Sequence, residues 1–514
     1  MQIDAQEPRE STALTFLGRS AFLNVLFAVE AGVSFLLDVI LAAALGLSAH
    51  SDALYAAWGL PQRVGRGMFQ SLTNSFMGLF GERTDRRVAY SQAITVIGAA
   101  ALPLAGLLSV TSAWWLPITI PGAAAETQNA AIPLARIMAW LVGLLALAET
   151  FRAIYYQEGQ LWLPSLSRVA GIVASIALIL AAPAGQNLTL AAWAMTIGAG
   201  IEALLGLVCM PFLLGFRYHP AWPSRDRLRE MAAVVGAPLA GQGAHVLSGI
   251  GEQMLASLLP TGSITAANYA KRILNTLERF VFRGFMITTI RSHSEQAKPD
   301  LRSQFRLVML VAVPVAALLA ALPVPLISIV FGRGRFGAED TRTLALAVQM
   351  FAPAVLLMGI GRVPYGLAYA RKRVGPLFVS AVLSATALVV SEAVFIYAGL
   401  GMRSFGLGST VAGAVGLTWL YFKIIRREPA QMLDKTDALK LAAVGVSAWA
   451  GTALMAWLAG MLPLAFAPRN LATLAAGLLG CGLFFFAAAW ALRFPEVRKA
   501  PAVLKRFWQK RFRR

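Results

Sequence analysis

Charge is what this sequence is short of. Asp, Glu, Lys and Arg together make up 14% of its 514 residues, against 58% hydrophobic, whereas a soluble domain carries about 25% charged and 45–50% apolar residues. Too little polar surface remains to face water on every side. Cysteine is nearly missing: Cys209 and Cys481 are the only two, each inside an apolar run. That excludes a disulfide framework, and each reads as a small buried hydrophobe. No His, Cys or carboxylate set has metal-ligand spacing, so neither a metal nor a cofactor is expected. The phosphate-loop pattern G-x-x-x-x-G-K-[ST] is absent too, which excludes ATP hydrolysis by that machinery.

What the chain does have is apolar runs of about 20 residues along its whole length, enough to cross a ~30 Å hydrocarbon core. Backbone groups in lipid must be satisfied internally, so helices or a closed barrel are the choices. Leu377–Val390 and Leu471–Leu492 do not alternate as barrel strands must. The fold class expected is therefore an all-α polytopic membrane protein. Spans fall near 17–45, 52–80, 89–117, 131–156, 163–182, 189–214, 232–259, 263–290, 305–327, 341–369, 376–399, 404–425, 438–465 and 470–492, about fourteen in all. The first follows a polar start with Glu7, Arg9, Glu10 and Arg19 and lacks a small-residue cleavage site, so it reads as an uncleaved helix.

Basic residues outnumber acidic ones, 45 against 25, for a net charge of +20. They sit in short loops on alternate connections: Arg83/Arg86/Arg87, Arg217/Arg225/Arg227/Arg229, Arg291/Lys298/Arg302, Arg371/Lys372/Arg373 and Lys423/Arg426/Arg427/Lys435. The opposite connections hold only Arg333, Arg335, Arg403 and Arg469. This is a topology signal rather than a nucleic-acid footprint. By the positive-inside rule the first side and both termini are cytoplasmic.

A sparse internal repeat recurs at about 213 residues: Asp52-Ala-Leu-Tyr55-Ala56 against Ala266-Ala-Asn-Tyr269-Ala270, and Pro164 against Pro376. Transporter folds commonly carry such repeats. The expected division is a first six-helix bundle over 1–215, a second over 216–428, an extra pair over 429–492 and a basic tail over 493–514.

Ionisable residues inside spans are expensive and tend to face a cavity or a partner. Here they concentrate in the opening pair of each half. On a continuous α-helix Arg272, Arg279 and Arg283 fall within about 20° of one line, with Asn268 and Thr276 flanking. Arg63, Arg66, Gln70 and Asn74 step by three and four along the second span, which opens at Asp52. The first span adds Asn24, Glu30 and Asp38, and the seventh Gln242, His245 and Glu252. Arginines near helix ends also snorkel to the interface, so both readings stay open for Arg66 and Arg283. The shared line of Arg272 and Arg279 favours a water-filled cavity. Guanidinium forks in such a cavity suit a phosphate-bearing anion. Glu149 and Arg152 read as an i,i+3 pair, and Glu202 as a lone buried acid. Glu392 fits either a coupling ion or a hydrogen-bonded structural acid. Gly332-Arg-Gly334-Arg-Phe-Gly337 matches G-x-G-x-x-G, but it follows a membrane helix rather than a strand and is set aside.

The motifs Asp38-Val-Ile-Leu-Ala-Ala-Ala-Leu-Gly46, Ser51-Asp52-Ala-Leu-Tyr-Ala-Ala with Leu60-Pro61, Pro121-Gly122, Asn268-Tyr269-Ala270-Lys-Arg272 and Val330-Phe-Gly-Arg-Gly334-Arg-Phe336 occur in order along spans one to twelve. Together they resemble the MurJ/MviN lipid II flippases of the multidrug/oligosaccharidyl-lipid/polysaccharide exporter superfamily. The resemblance implies two six-helix bundles around a V-shaped central cavity and two C-terminal helices forming a groove for a lipid tail. It also implies transport of an undecaprenyl-pyrophosphate-linked saccharide, with membrane lipids and a coupling ion or the membrane potential as partners. Departures stand beside it. Leu37 replaces the family's arginine before the aspartate, Glu30-Ala31 replaces Ser-Arg, and Gln70-Ser71 replaces Glu-Gly. The diphosphate would then fall to Arg63, Arg66, Arg272 and Arg279, with Asp52, Asp38, Gln70, Asn74 and Asn268 as further lining. Glu392, Glu252 and Glu30 are the candidates for coupling. An exopolysaccharide-unit flippase is the alternative. A cation-coupled drug exporter would prefer acidic cavities, and a polymerase or ligase would need outer loops longer than those near 118–130 and 328–340.

Overall fold

The computed structural model describes residues 8–81, 85–181, 188–282, 285, 301–371, 373, 375–426, 434–463 and 465–498, with side chains from Val25 onward. Among them every regular element is a helix and none is a strand. Ten helices are long and apolar enough to cross a membrane, the first being Val25–Leu45 and the last Ala467–Ala491. An eleventh span appears if Ala338–Gln349 and Ala352–Tyr369, bent by 41°, count as one. The predicted spans near 52–80, 232–259 and 263–290 form helices but are not among the ten. The reason is compositional: Arg63, Arg66 and Gln70 in the first, Gln242, His245 and Glu252 in the second, and Asn268, Lys271, Arg272 and Glu278 in the third lower the hydropathy of these runs.

The chain divides into two compact units, Met1–Gly262 and Ser263–Arg514. The first contains α1 (Pro8–Leu45), α2 (Ala49–Gln62), α3 (Gln70–Gly81), α4 (Arg86–Val110), α5 (Ser112–Thr119), α6 (Ala125–Met138), α7 (Leu141–Gln157), α8 (Leu163–Ala181), α9 (Leu188–Val208), α10 (Met210–Leu214) and α11 (Arg225–Ser257). A π-helical segment, Arg63–Met68, interrupts the run from α2 to α3 just after Pro61. The turn from α1 to α2 is tight. Gly46 takes φ 62°, a left-handed conformation that stops a helix without a Cβ clash, and Ser48 and Ser51 form a reciprocal capping box. Gly262, at φ 92°, packs its backbone on Leu47, where an added Cβ would lie 2.9 Å from the Leu47 Cβ. Within this unit α7 packs on α3, α4 and α9, and α8 packs on α1 and α9.

The second unit opens with α12 (Ser263–Leu277), which runs into a π segment at Glu278–Phe282. Helices Gly375–Tyr397 and Arg403–Leu420 pair closely, as do Lys435–Gly460 and Phe466–Ala491. Arg302 and Arg306, at the start of Leu301–Ala321, reach Asp437 at 2.6 and 3.7 Å, and Arg306 also meets Glu496 at 3.0 Å. This ionic clasp gathers the start of Lys435–Gly460 and the segment beyond the last long helix onto one end of Leu301–Ala321.

Lipid offers helices no hydrophobic drive to associate, so small residues that let backbones approach become the packing device. Between α8 and α9 the contact is reciprocal. A Cβ on Gly171 would stand 2.3 Å from the Gly198 carbonyl oxygen, and one on Gly198 would stand 2.4 Å from that of Gly171. Backbone cannot step aside as a side-chain tip can. Gly198→Ala is therefore expected to destabilise the protein by about 1–3 kcal/mol, read as a lower melting temperature in detergent. Gly200→Ala, whose Cβ would meet only Leu144 at 4.0 Å, should leave it unchanged.

Candidate functional site

The first unit holds a buried ionic cluster inside its helices. Arg152, one turn beyond Glu149 on α7, is the hub: it lies 3.5 Å from Glu149, 3.6 Å from Glu30 on α1 and 3.8 Å from Glu202 on α9. Arg168 on α8 bonds Glu30 at 2.9 Å. Arg66, in the π segment, donates a short hydrogen bond to Glu202 and lies 3.7 Å from Glu149. Thr73 donates to Glu149 at 2.9 Å. The three carboxylates are 5% exposed or less. Three cations face three anions, so the cluster is neutral as a whole. Glu202 is thus not the lone acid the sequence suggested; it shares a site with partners that are distant in sequence and therefore invisible to local spacing.

Arg63 sits elsewhere. Its Nη1 donates to Gln253 Oε1 on α11 at 2.8 Å, and Gly59 and Gly249 leave the room it occupies. A Cβ on Gly249 would fall 2.6 Å from the Arg63 Nε. The i+3 and i+4 steps that would set Arg63, Arg66 and Gln70 on one face of a regular α-helix do not do so here. A π segment closes i→i+5 rather than i→i+4 bonds, which alters the angular register. Arg63 turns to α11, Arg66 to α7 and α9, and Gln70 is exposed. The same change of winding after Leu277 removes the continuous-helix premise behind the Arg272–Arg279 line.

The remaining candidates are spread out. Asp38 is buried and accepts from the Tyr55 hydroxyl at 3.3 Å, and Asp52 accepts from the Gly262 backbone N–H at 2.6 Å. Asn268 donates to its own helix, at the Ile264 carbonyl, and Arg272 is half-buried one turn further along. Glu252 is buried on α11, and Glu392 is buried against Gly408, where a Cβ would approach its Cγ. Gln242 is half-buried and His245 exposed. The side chains of Asn24, Asn74 and Arg279 and the residue Arg283 lie outside the described residues.

One group was not anticipated. In the second unit Arg362 donates to Glu278 at 2.7 Å and borders a cavity of about 190 Å³ with Tyr365, Ser384 and Ser409. Arg362 lies in a run that reads as ordinary membrane helix, and a lone arginine there gives no spacing to notice. Among the described residues no group of His, Cys, Asp and Glu could hold a metal ion.

Buried charge of this kind is costly to unbalance. Arg152→Leu leaves three carboxylates against two arginines and is expected to cost about 3–5 kcal/mol, seen as loss of folded protein on size exclusion. Adding Glu149→Leu restores the balance and should recover part of the loss. A single variant as stable as wild type would show that the cluster does not hold the unit together.

Comparison with known proteins supplies the frame for these positions. A family model described as "Lipid II flippase MurJ" matches residues 41–473. The probable lipid II flippase MurJ of Thermotoga maritima is 23% identical over 395 residues, covering 75% of this chain and 81% of that protein. Its counterpart from Bdellovibrio bacteriovorus is 26% identical over 425 residues, covering 77% and 79%. A solved lipid II flippase MurJ in an inward closed conformation superposes with a TM-score of 0.78 at 16% identity, covering 92% of this chain and 99% of that one. An inward-facing multidrug resistance transporter of the MATE family gives 0.61 at 16% identity, covering 79% and 96%. At such identities the solved structures establish the fold.

Proposed function

The chain belongs to the MurJ lipid II flippase family, its model matching residues 41–473, and on that footing we propose that it carries an undecaprenyl-pyrophosphate-linked saccharide across the bacterial inner membrane. As a member of a flippase family it is a transporter rather than an enzyme. The observation that carries the reading is Arg272, an intramembrane arginine within the Asn268–Arg272 motif, on a helix too polar to count among the apolar spans. A fixed guanidinium fork matches the oxygens of a diphosphate.

The topology proposed for this activity has fourteen spans, two six-helix bundles and a C-terminal pair, with both termini cytoplasmic. Ten apolar helices and one bent pair support it, together with three polar helical runs at 49–81, 225–257 and 263–282. At 1.5 Å per residue each of the three reaches about 30 Å or more. Reporters fused after Arg426 and Arg469 are expected on opposite sides of the membrane; the same side for both would remove this map.

With no nucleotide-binding motif, an ion gradient or the membrane potential drives transport, and Glu392, Glu252 and Glu30 are the carboxylates that the sequence offers for the response. Collapse of the gradients by a protonophore and an ionophore should stop flipping in vesicles. A second reading, another polyprenyl-linked saccharide in place of lipid II, rests on Glu30 and Leu37, which stand where the family carries Ser and Arg. Competition between lipid II and an exopolysaccharide-unit lipid for the purified protein separates the two.

Arg272→Ala is expected to abolish flipping while expression and melting temperature stay at wild-type levels. Arg272→Lys should rescue in part, because a point charge replaces the fork. Full activity in the alanine variant would move the diphosphate site away from Arg272.

A further inference from the structure

The ionic cluster of the first unit joins Arg66, Arg152 and Arg168 to Glu30, Glu149 and Glu202. Its charge is balanced, three arginines against three glutamates. It is also held together unevenly. Glu30 keeps a hydrogen bond from Arg168 and Glu149 keeps one from Thr73. Glu202 takes its side-chain hydrogen bond from Arg66, and its other close cation, Arg152, stands off at 3.8 Å. Arg66 in turn is one of the cluster's outer members, 13% exposed, and its buried Nη1 makes no hydrogen bond. It rides on the π segment rather than on a regular helical turn.

We propose that Glu202 is a proton-binding site that loads when Arg66 transfers its guanidinium from Glu202 to a diphosphate. The inference rests on the reading that the chain binds a diphosphate-linked lipid and deepens it by naming the proton as the coupling ion and Glu202, in place of Glu392, Glu252 and Glu30, as the carboxylate that takes it.

The charge balance dictates the step. With Arg66 given over to the phosphate oxygens, Arg152 and Arg168 face Glu30, Glu149 and Glu202, and the cluster carries a net negative charge inside low-dielectric surroundings. An uncompensated buried charge is the expensive case. One proton taken from solution onto a carboxylate restores neutrality: a carboxylate oxygen gains an O–H bond, and no other bond is made or broken. Glu202 receives it because it alone has lost its hydrogen-bonding cation. The charged groups facing it are then Arg152 and Arg168, which Glu149 and Glu30 share, with the Tyr156 hydroxyl beside Arg152. When the diphosphate leaves, Arg66 returns and the proton is released. Substrate and proton therefore bind together, and a proton gradient across the membrane biases the cycle.

The test uses the purified full-length chain in nanodiscs, with inorganic pyrophosphate as the probe. Wild-type protein is expected to take up one more proton per bound pyrophosphate than Glu202→Gln. The probe's own proton changes are common to both proteins and cancel in the comparison. Wild-type affinity should fall about tenfold more steeply per pH unit than that of the variant, since one proton is linked to binding. Glu202→Gln, which lacks the competing anion, should bind more tightly at high pH. Because that variant could fail to fold, infrared difference spectra of wild-type protein supply a second readout: a carboxylic-acid C=O band should appear when pyrophosphate binds. Equal proton uptake in the two proteins, or no such band, overturns the proton site while leaving diphosphate binding intact. Binding that is unchanged in Arg66→Ala overturns the transfer itself. Wild-type protein that binds no pyrophosphate overturns the diphosphate reading and this inference with it.

Discussion

Charge neutrality in a medium that solvates no ions is the constraint around which the first unit is arranged. Arg152 can sit at the centre because Glu149, Glu30 and Glu202 arrive from its own helix, α1 and α9. Arg66 and Arg168 complete the balance from the π segment and α8. Against well-packed hydrophobes such a cluster is no sure gain in stability. What it fixes is which residues of five helical segments lie opposite one another, since a shift by one turn would strand a charge. The glycine contact between Gly171 and Gly198 lies in the same pair of helices that brings Arg168 and Glu202 in, so close backbone approach and charge pairing specify one packing together.

Polar chemistry is divided between helices that count as apolar spans, which carry Glu30, Glu149, Arg152, Arg168 and Glu202, and the polar runs, which carry Arg63, Arg66 and Arg272. A helix with arginines, glutamates and amides on it is a poor lipid-facing element, and it must bury those groups against partners or water. Winding then decides where each points. The π segments at Arg63–Met68 and Glu278–Phe282 lie about one repeat length apart, in the second span of each half. In the first of them Arg63 and Arg66 diverge to different partners.

The second unit distributes its charge differently. Among its described residues, Arg302 and Arg306 form an end clasp on Asp437 and Glu496, and Arg362 pairs with Glu278 beside a small cavity. The first unit thus holds a balanced cluster of six, and the described residues of the second show ion pairs at separate places.

Hydropathy and loop charge alone determined that the protein is helical and membrane-embedded, and the order of short motifs determined its family. Those properties are local: twenty apolar residues or a five-residue motif can be read without knowing what lies beside them. The pairing of Glu149 with Arg152 was legible for the same reason, being one turn apart on one helix. The partners of Glu202 and Glu30 were not, because Arg66 lies 136 residues from Glu202 and Arg168 lies 138 from Glu30, and no spacing rule reaches so far. The directions of Arg63 and Arg66 were misjudged for a different cause. A stripe computed at a fixed angle per residue assumes one helical winding, and whether a segment is α or π is settled by the packing that surrounds it. Only the tertiary structure decided which charges meet.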